Sequence, residues 1–216
     1  MESAATNGGA STSRLDRRKA RTRQALVDAA ARLIAQGRGE RASIQEITEA
    51  ADLGFGSFYN HFASKEELFR TASEEVLERW AQMIDAACED LDDPAEVFAV
   101  SLRISGRLVW THPEIAAFIT GAGLDLLDEP RGLGPRARRD IRAGQAAGRF
   151  TVADADIALA AVAGGLIGLL RLHARDPERV TESSVDELTE ACLRLLGVTA
   201  AQARRLARLR LPDARW

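Results

Sequence analysis

Two helix-capping motifs enclose a glycine-containing stretch in the first third of the chain and restrict how that part can fold. Ser43 with Glu46, and Ser64 with Glu67, each form a Ser-x-x-Glu capping box, which predicts that a helix begins directly after the serine. The first of these helices has an apolar face of about two turns before residues 52–54 interrupt it. A third short helix is expected over residues 55–61, so a tight turn joins two short helices.

A longer helix precedes this pair, and the three together describe a helix-turn-helix. Apolar residues recur at helical spacing over residues 17–36, and two glycines end that pattern. Phe58 and Phe62 are expected to anchor the third helix on a small core. A helix-turn-helix places its second helix in the major groove of DNA. Gly54 and Gly56 would let the backbone approach that DNA closely, because they carry no side chain.

The remainder of the chain shows helical periodicity and no strand-like alternation, so the fold class is all-α. One long helix is expected from Ser64 to Cys88, and prolines, glycines and capping residues bound the later ones. The later helices are expected over 94–110, from 113, and over 136–147, 154–174, 184–196 and 199–210, with a loop or broken helix over 121–134. The chain therefore divides into a disordered arm over 1–13, a helix-turn-helix domain over 14–62 and a larger helical domain over 63–216.

Charge and cysteine content fit a nucleic-acid-binding protein of the cytoplasm. Residues 1–62 carry 9 lysines and arginines and 7 acids, a charge of +2, which leaves −5 for residues 63–216 within the total of −3. Six of those cations lie within residues 14–23, a candidate footprint for DNA, with an ordinary solvated helix start as the alternative. The two cysteines fit no metal or disulfide spacing, and residues 1–13 lack the pattern of a signal peptide, so a cytoplasmic location is expected.

Residues 43–69, SIQEITEAADLGFGSFYNHFASKEELF, resemble the DNA-binding signature of the TetR family of bacterial transcriptional regulators. That signature reads as a helix led by Thr, then Ala-Gly-Val-Ser, a basic residue, Gly-Thr-Leu-Tyr, a variable position, His-Phe and a Lys-Glu helix start. The matching positions are Ile47, Ala51, Gly56, Tyr59, His61, Phe62, Lys65 and Leu68, and the close substitutes are Leu53, Ser57 and Phe58. The resemblance implies an N-terminal three-helix bundle that contains the helix-turn-helix, followed by a C-terminal helical domain for ligand binding and dimerisation.

Four positions depart from that signature. Thr48 stands where Ala is usual and Asp52 where Gly is usual, while Gly54 replaces a Ser cap and Phe55 a frequent Lys or Arg. The last two lie at the entry to the recognition helix, so one expected guanine contact is absent, and Phe55 could touch a thymine methyl instead. The operator sequence is therefore not readable from the signature.

The resemblance also implies which residues contact double-stranded DNA. Ser43, Tyr59 and Lys65 would contact phosphates, and Gly56 would allow close approach of the backbone. The full expected set is Arg17, Arg18, Arg21, Ser43, Gly54, Phe55, Gly56, Ser57, Tyr59, Asn60, His61 and Lys65. Each of these residues, taken singly, is about equally well explained by a structural role.

A homodimer is expected because the half-sites of a palindromic operator require two recognition helices about 34–36 Å apart. The apolar run Ile157–Leu170 has 14 residues. Because a bilayer needs about 20, the run predicts a buried helix and no membrane span. With the helix over 184–196 it would form a four-helix interface across a two-fold axis, or else lie buried within its own chain. The expected interface residues are Val162, Gly165, Leu166, Leu169, Leu188, Cys192 and Leu195.

A small-molecule effector is implied as well, in a cavity between the helices of residues 76–130. That region holds many bulky apolar side chains and a few polar ones, which suits an apolar ligand with one or two polar anchors. The expected lining residues are Trp80, Met83, Phe98, Leu102, Arg103, Trp110, His112, Phe118 and Asp125, each equally compatible with core packing. The ligand would favour a state in which the two recognition helices are badly spaced for the operator. The helix after Ser64 would transmit the change, and residues 121–134 would form the gate of the pocket.

The sequence holds no arrangement typical of an enzyme, a metal site or a cofactor site. Its three histidines, His61, His112 and His173, are scattered, and it has no P-loop or dinucleotide-binding fingerprint. The sequence therefore predicts a ligand-responsive, sequence-specific DNA-binding regulator that represses transcription. The alternative is a ligand-independent dimer that binds DNA or a partner protein, and a tightly filled core in place of a cavity would favour it.

Overall fold

The structure, a computed structural model, describes residues 14–36 and 38–212, and within these two ranges no residue forms a β-strand. Its α-helices are α1 Arg14–Ala35, α2 Ile44–Ala50, α3 Lys65–Ala87, α4 Pro94–Gly106, α5 Leu108–Thr111, α6 Pro113–Ala122, α7 Leu133–Ala146, α8 Ala155–Arg175, α9 Glu182–Leu195 and α10 Ala200–Leu206. Short 3-10 helices cover Gly39–Arg41, Phe55–Asn60, Gly123–Leu127 and Pro177–Arg179. The predicted all-α class is confirmed. The arm predicted over residues 1–13 lies outside the described residues.

The chain forms two compact units, of which the first ends at Ala72 and the second begins at Ser73. The first unit therefore extends past residue 62, where the sequence places the end of the helix-turn-helix domain. The reason is that the first turns of α3 belong to the first core, in which Leu68 and Ala72 are completely buried.

The first unit is a small helical bundle built from α1, α2, the 3-10 helix Phe55–Asn60 and the start of α3. Its core contains Leu26 of α1, Ile47 of α2 and the rings of Phe58 and Phe62. The capping box predicted at Ser43 is confirmed: its Oγ accepts from the Glu46 N–H at 3.1 Å, and its own N–H donates to Glu46 Oε2 at 2.8 Å.

The second unit holds two adjoining apolar cores. One lies between α4, α7, α8, α9 and α10 and contains Phe98, Ile141 and Leu193. The other lies between the later turns of α3 and the helices α4, α5, α6 and α8, and contains Trp80 and Leu108. The helices of this unit therefore pack against one another through apolar faces.

Two helix boundaries differ from the sequence-based expectation. The helix expected over 94–110 is divided, because the chain turns at Arg107 after Gly106, where Val185 of α9 would lie 2.6 Å from an added Cβ. Helix α7 begins at Leu133, earlier than the expected residue 136, because Gly132 with φ of 91° precedes its first turn. Glycine-rich sequence had indicated a loop there.

Helix α8 is the one described helix that is long and apolar enough to cross a membrane, with a mean hydropathy of 1.8 over its most apolar window. Core helices of soluble proteins pass the same test. Leu159, Val162 and Leu170 of α8 are buried in the two cores of the second unit, but only 28% of the most apolar window is buried, so the prediction of a buried helix holds for one face of α8 alone.

Candidate nucleic-acid interface and buried cavity

The turn between α2 and the 3-10 helix Phe55–Asn60 is closed by backbone hydrogen bonds. Asp52 has a φ of 56°, the only positive φ of a non-glycine residue in the described part of the chain. Its N–H donates to the Glu49 carbonyl at 3.0 Å, and the Leu53 N–H donates to the Thr48 carbonyl at 2.9 Å. Aspartate tolerates the left-handed conformation better than most residues, so Asp52 serves where a glycine is usual.

The aromatic residues after this turn divide between the core and the surface. Phe58 is completely buried and Phe62 is 2% exposed, whereas Phe55 and Tyr59 are 54% and 57% exposed. The inward orientation predicted for Phe58 and Phe62 is confirmed, and Tyr59 is exposed, while its predicted phosphate contact stays a prediction. The element itself is a 3-10 helix, a tighter form than the predicted α-helix, and its 3-10 hydrogen bond runs from the Ser57 N–H to the Gly54 carbonyl at 2.8 Å.

Gly54 and Gly56 are not required by the protein's own packing. A Cβ added at either position would meet no atom within 4 Å, and neither residue has a positive φ. Gly54 has φ of −70° and ψ of 146°, an extended conformation that any residue adopts. The missing side chains therefore leave the outer surface of this element open.

Cationic side chains flank the exposed element. Arg17, Arg18 and Arg21 are exposed on α1. Arg23, in the middle of α1, places its guanidinium 4.7 Å from the centre of the Phe62 ring, which fixes α1 on the core. Burial, together with the nearby positive charges of Lys19 and Arg23, lowers the pKa of His61, so its imidazole is neutral at pH 7.

Two helix N-termini flank the same element. At the start of α2, Ser43 is exposed and its hydrogen bonds with Glu46 lower the pKa of that carboxyl. At the start of α3, Ser64 Oγ accepts from the Glu67 N–H at 3.2 Å, and Lys65 is the first helical residue. The positive end of the helix dipole makes such positions suitable for phosphate, while Ser43 and Ser64 each already accept one N–H group.

The second unit contains a cavity of about 110 Å³ between α3, α4, α6, α7 and α8. Its walls are mainly aliphatic and include Ile119, Leu159 and Ile167. The polar side chains that line it are Asp85, Ser101, Ser105, Arg136 and Asp140. This cavity is smaller than the roughly 150 Å³ apolar cavity that takes up benzene, so a single-ring molecule would enter only if the walls of the cavity move apart.

The polar groups of the cavity differ in how fully they are bonded. Arg136 donates to Asp85 Oδ2 at 2.6 Å and to Glu78 Oε1 and Oε2 at 2.8 and 3.0 Å, so its guanidinium is occupied. Asp140 Oδ1 accepts from Arg139 Nε at 2.9 Å, whereas no described residue donates to Asp140 Oδ2. Burial raises the pKa of Asp140. Asp140 thus lines the cavity with a carboxylate of which one oxygen accepts from no described residue.

Two of the nine residues expected to line a ligand pocket, Phe98 and Leu102, do so. The other seven lie elsewhere. Trp80 packs 4.8 Å from the His112 ring, Met83 and Phe118 pack on the same core, and Trp110 stacks edge-on against His173 near the surface. Arg103 is buried in an ion pair with Asp186 at 2.8 Å, and Asp125 is exposed. Sequence spacing alone did not separate wall residues from ordinary core residues.

Two family profiles match the chain and together cover most of it. Residues 26–72 match bacterial regulatory proteins of the tetR family, and residues 93–209 match the tetracyclin repressor-like C-terminal domain. The solved structure of RolR in complex with resorcinol is 35% identical, covers 92% of this chain and 98% of RolR, and superposes with a TM-score of 0.78. This chain belongs to the TetR family of bacterial transcriptional regulators. The family consists of regulators and not of enzymes.

Other TetR-family relatives agree with this assignment over parts of the chain. An HTH-type transcriptional regulator of Mycobacterium tuberculosis is 30% identical over 95 residues, which are 44% of this chain and 47% of the relative. The match thus spans about half the length of that curated relative. SmeT, the repressor of the Stenotrophomonas maltophilia multidrug efflux pump SmeDEF, shares the fold at 19% identity, with a TM-score of 0.60 over 81% of this chain and 91% of SmeT.

The residues that the sequence pattern assigned to the dimer interface lie mostly inside the protomer. Val162 and Cys192 are buried in the core between α4, α7, α8, α9 and α10, Leu166 lines the cavity, and Leu188 packs on the same core. A Cβ at Gly165 would lie 3.1 Å from Leu188 Cδ1, so this glycine serves the contact of α8 with α9. Leu169 is half-buried and Leu195 is 47% exposed.

A different apolar stripe of this TetR-family protein remains on the surface. Ile157 is 71% exposed and Leu172 37% exposed, and Gly164 and Gly168 lie exposed between them at helical spacing. Leu195 provides an exposed apolar side chain on α9. Because α8 is apolar nearly all round, its sequence did not reveal which of its faces stays on the surface.

The charged residues that line the cavity were not predicted from the sequence. Asp85 lies on α3, and Arg136 and Asp140 lie on one face of α7, four residues apart. The one available signal was a single acid, Asp140, in the otherwise basic run RARRD of residues 136–140. An ion-paired surface explains such a run equally well, so only the fold distinguishes the two.

Proposed function

We propose that this protein is a homodimeric repressor that binds a palindromic operator and releases it when a small hydroxylated aromatic molecule enters the cavity of the second unit. It acts in the cytoplasm, where both operator and effector are available. The DNA is contacted by the 3-10 helix Phe55–Asn60, the N-termini of α2 and α3 and the basic start of α1. Ser43, Tyr59 and Lys65 contact phosphates in this proposal.

The observation that carries the proposal is the cavity with its free carboxylate oxygen. Aliphatic walls favour an aromatic ring, and Asp140 Oδ2 accepts a hydrogen bond from a hydroxyl donor. RolR, which is 35% identical, was solved with resorcinol, a benzene ring that bears two hydroxyl groups. A phenol of one ring therefore matches the walls and the acceptor of this cavity, and its entry requires the walls to move apart.

Helix α3 supplies the coupling in this proposal. Ala81, Ile84 and Asp85 of α3 line the cavity, while Leu68 and Ala72 of the same helix are buried in the DNA-binding unit. An effector that binds one position of α3 better than another shifts the population toward that position, by at most its difference in affinity. The cavity favours this function over the ligand-independent dimer, for which a filled core is expected.

Thermal unfolding with and without resorcinol tests the effector. We expect saturating resorcinol, at about 100 times its dissociation constant, to raise Tm by about 5–10 °C. 1,3-Dimethoxybenzene, which has the same ring and no hydroxyl donor, should give a much smaller rise. Asp140→Asn should weaken resorcinol binding by about 10-fold or more, because a hydrogen bond to a charged acceptor is lost.

Asp156→Asn is the matched control, since Asp156 is an exposed carboxylate paired with Arg138 that does not line the cavity. It should respond to resorcinol as the parent does. Equal shifts with resorcinol and its dimethyl ether, or an unchanged response of Asp140→Asn, would show that the effector class is wrong.

A further inference from the structure

The 3-10 helix Phe55–Asn60, which is the recognition element in the proposed function, lacks the side chains that usually read guanine. Between Asp52 and Phe62 there is no arginine or lysine. Arginine and lysine are the residues that bind O6 and N7 of guanine in the major groove. The element therefore meets base edges without the side chains that make this contact.

Phe55 is the first residue of that element and keeps a large apolar ring on the surface. The ring is 54% exposed, and its centroid lies 5.9 Å from that of Tyr59 at an interplanar angle of 67°. Tyr59 in turn lies 5.2 Å from the buried ring of Phe58, also edge to face. Such contacts stabilise aromatic pairs beyond simple burial, so Phe55 is supported from within while half of its surface stays open.

The neighbours of Phe55 leave room for a partner around the ring. An added Cβ at Gly54 or Gly56 would meet nothing within 4 Å, so no side chain of the protein covers the ring from either adjacent position. A supported, exposed ring at the start of a groove-binding element suits an apolar feature of the groove. Among the base edges in the major groove, the 5-methyl group of thymine is that feature.

We propose that Phe55 reads thymine 5-methyl groups, one in each half-site of the operator, and that it is a specificity-determining residue. The inference rests on the proposed function, because it requires that the Phe55–Asn60 element enters the major groove. Removal of one methyl from an apolar contact weakens binding by about fourfold. Removal of both methyl groups, one from each symmetric half-site, weakens binding by about fifteenfold.

The test uses the full-length protein and duplexes selected from a random-sequence library. Each thymine of the selected duplex is replaced in turn by deoxyuridine, symmetrically in both half-sites, which removes only the 5-methyl group. Affinities are measured by fluorescence anisotropy for the parent, Phe55→Ala and Phe55→Leu. Leu124→Ala is the matched control, because Leu124 is a 48% exposed apolar residue of the second unit that does not line the cavity.

For the parent and for Leu124→Ala, we expect one symmetric thymine pair at which deoxyuridine weakens binding by about fifteenfold. For Phe55→Ala the same replacement should change affinity by less than about twofold, and Phe55→Leu should retain part of the effect. The ratio of the affinities for the thymine duplex and the deoxyuridine duplex should be the same at low and high salt, because an apolar contact releases no counterions. The absolute affinities should fall with salt.

Two results would overturn the inference and leave the proposed function intact. One is a selected duplex at which no deoxyuridine replacement matters, and the other is an equal deoxyuridine penalty in the parent and Phe55→Ala. Failure to select any preferred duplex would instead refute sequence-specific DNA binding, and the inference with it.

Discussion

At the residue scale, the glycines of the recognition element are not required by the fold, and we assign them to clearance toward DNA. Gly144 provides the contrast, because an added Cβ there would lie 2.1 Å from Cδ2 of the Phe150 ring, inside the protein. At Gly56 the same addition meets nothing within 4 Å. Gly144 is thus required by the packing of Phe150, whereas in the proposed function Gly56 provides clearance toward DNA.

We expect Gly56→Ala to lower DNA affinity by about tenfold, comparable to the loss of one good base contact, with no loss of stability. The free energy of unfolding should stay the same or rise by about 0.4–1 kcal/mol, because alanine has less freedom in the unfolded chain. Gly144→Ala should lower it by about 1–3 kcal/mol through overpacking. Urea unfolding and fluorescence anisotropy measure both quantities, and a destabilised Gly56→Ala with unchanged DNA affinity would refute the explanation.

Residue-level prediction succeeded where local pattern decides orientation. The capping box at Ser43 and the inward rings of Phe58 and Phe62 follow from spacing within one short segment. It failed for the cavity, because Asp140 becomes a wall residue only when α7 packs beside α3 and α4. No periodicity within α7 distinguishes a cavity-facing acid from an ion-paired surface acid.

At the element scale, α3 and α7 are joined by an ion-pair network beside the cavity. Arg136 of α7 bonds to Glu78 and Asp85, two turns apart on α3, and the Gly132 N–H donates to Glu78 Oε2 at 2.9 Å. Hydrogen bonds from Arg136 lower the pKa of Glu78 to about 2. For Asp85, burial opposes ionisation, but hydrogen bonds from Arg136 and Arg139 outweigh it and lower the pKa.

This network predicts a pH-dependent contribution to stability. The pKa of Glu78 lies below its usual value of 4.5 in the folded state, so its contribution is complete above pH 4.5 and is lost as pH falls toward 2. At pH 7, Glu78→Gln should reduce the free energy of unfolding by about 2 kcal/mol, because an ion pair at a partly buried site is broken. The difference from the parent should shrink when urea unfolding is repeated at pH 3.

Glu182→Gln is the control for that experiment. Glu182 is also paired with an arginine, Arg107, at 3.2 Å, but its side chain is 75% exposed, so its loss should cost less than about 0.5 kcal/mol at either pH. An equal effect of the two substitutions, or a Glu78→Gln difference that grows toward pH 3, would contradict the role of the network.

Element boundaries were predictable from the sequence where caps or glycines mark them, and less so elsewhere. Helices α2 and α8 begin at their predicted caps, Ser43 and Asp154. The division between α4 and α5 was not predictable, because it accompanies the close approach of Val185 from α9. The exposed face of α8 was missed for a similar reason, since only tertiary packing selects one face of a helix that is apolar all round.

At the scale of the whole molecule, the exposed stripe of α8 and α9 is the surface we assign to the homodimer. Ile157→Glu should weaken dimerisation by at least about 100-fold, because the symmetric interface contains the residue twice and each copy would bury a charge. Helicity should not change, since Ile157 is 71% exposed in the protomer. Analytical ultracentrifugation measures the dissociation constant.

Leu124→Glu, at an apolar residue of the 3-10 helix Gly123–Leu127 that is exposed to 48%, is the control for the dimer prediction. It should dimerise like the parent. Normal dimerisation of Ile157→Glu would place the interface on another surface, and loss of dimerisation by both variants would show that the effect is not local.

The central claim is that a ligand in the cavity of the second unit controls DNA binding by the first. The most direct measurement is fluorescence anisotropy of a selected operator duplex during titration with resorcinol, for the parent and for Asp140→Asn. We expect the parent to release the duplex over the same concentration range in which resorcinol raises its Tm. Asp140→Asn should need a resorcinol concentration at least about 10-fold higher for the same release. Full occupancy of the duplex at saturating resorcinol, or equal release by both proteins, would contradict the claim.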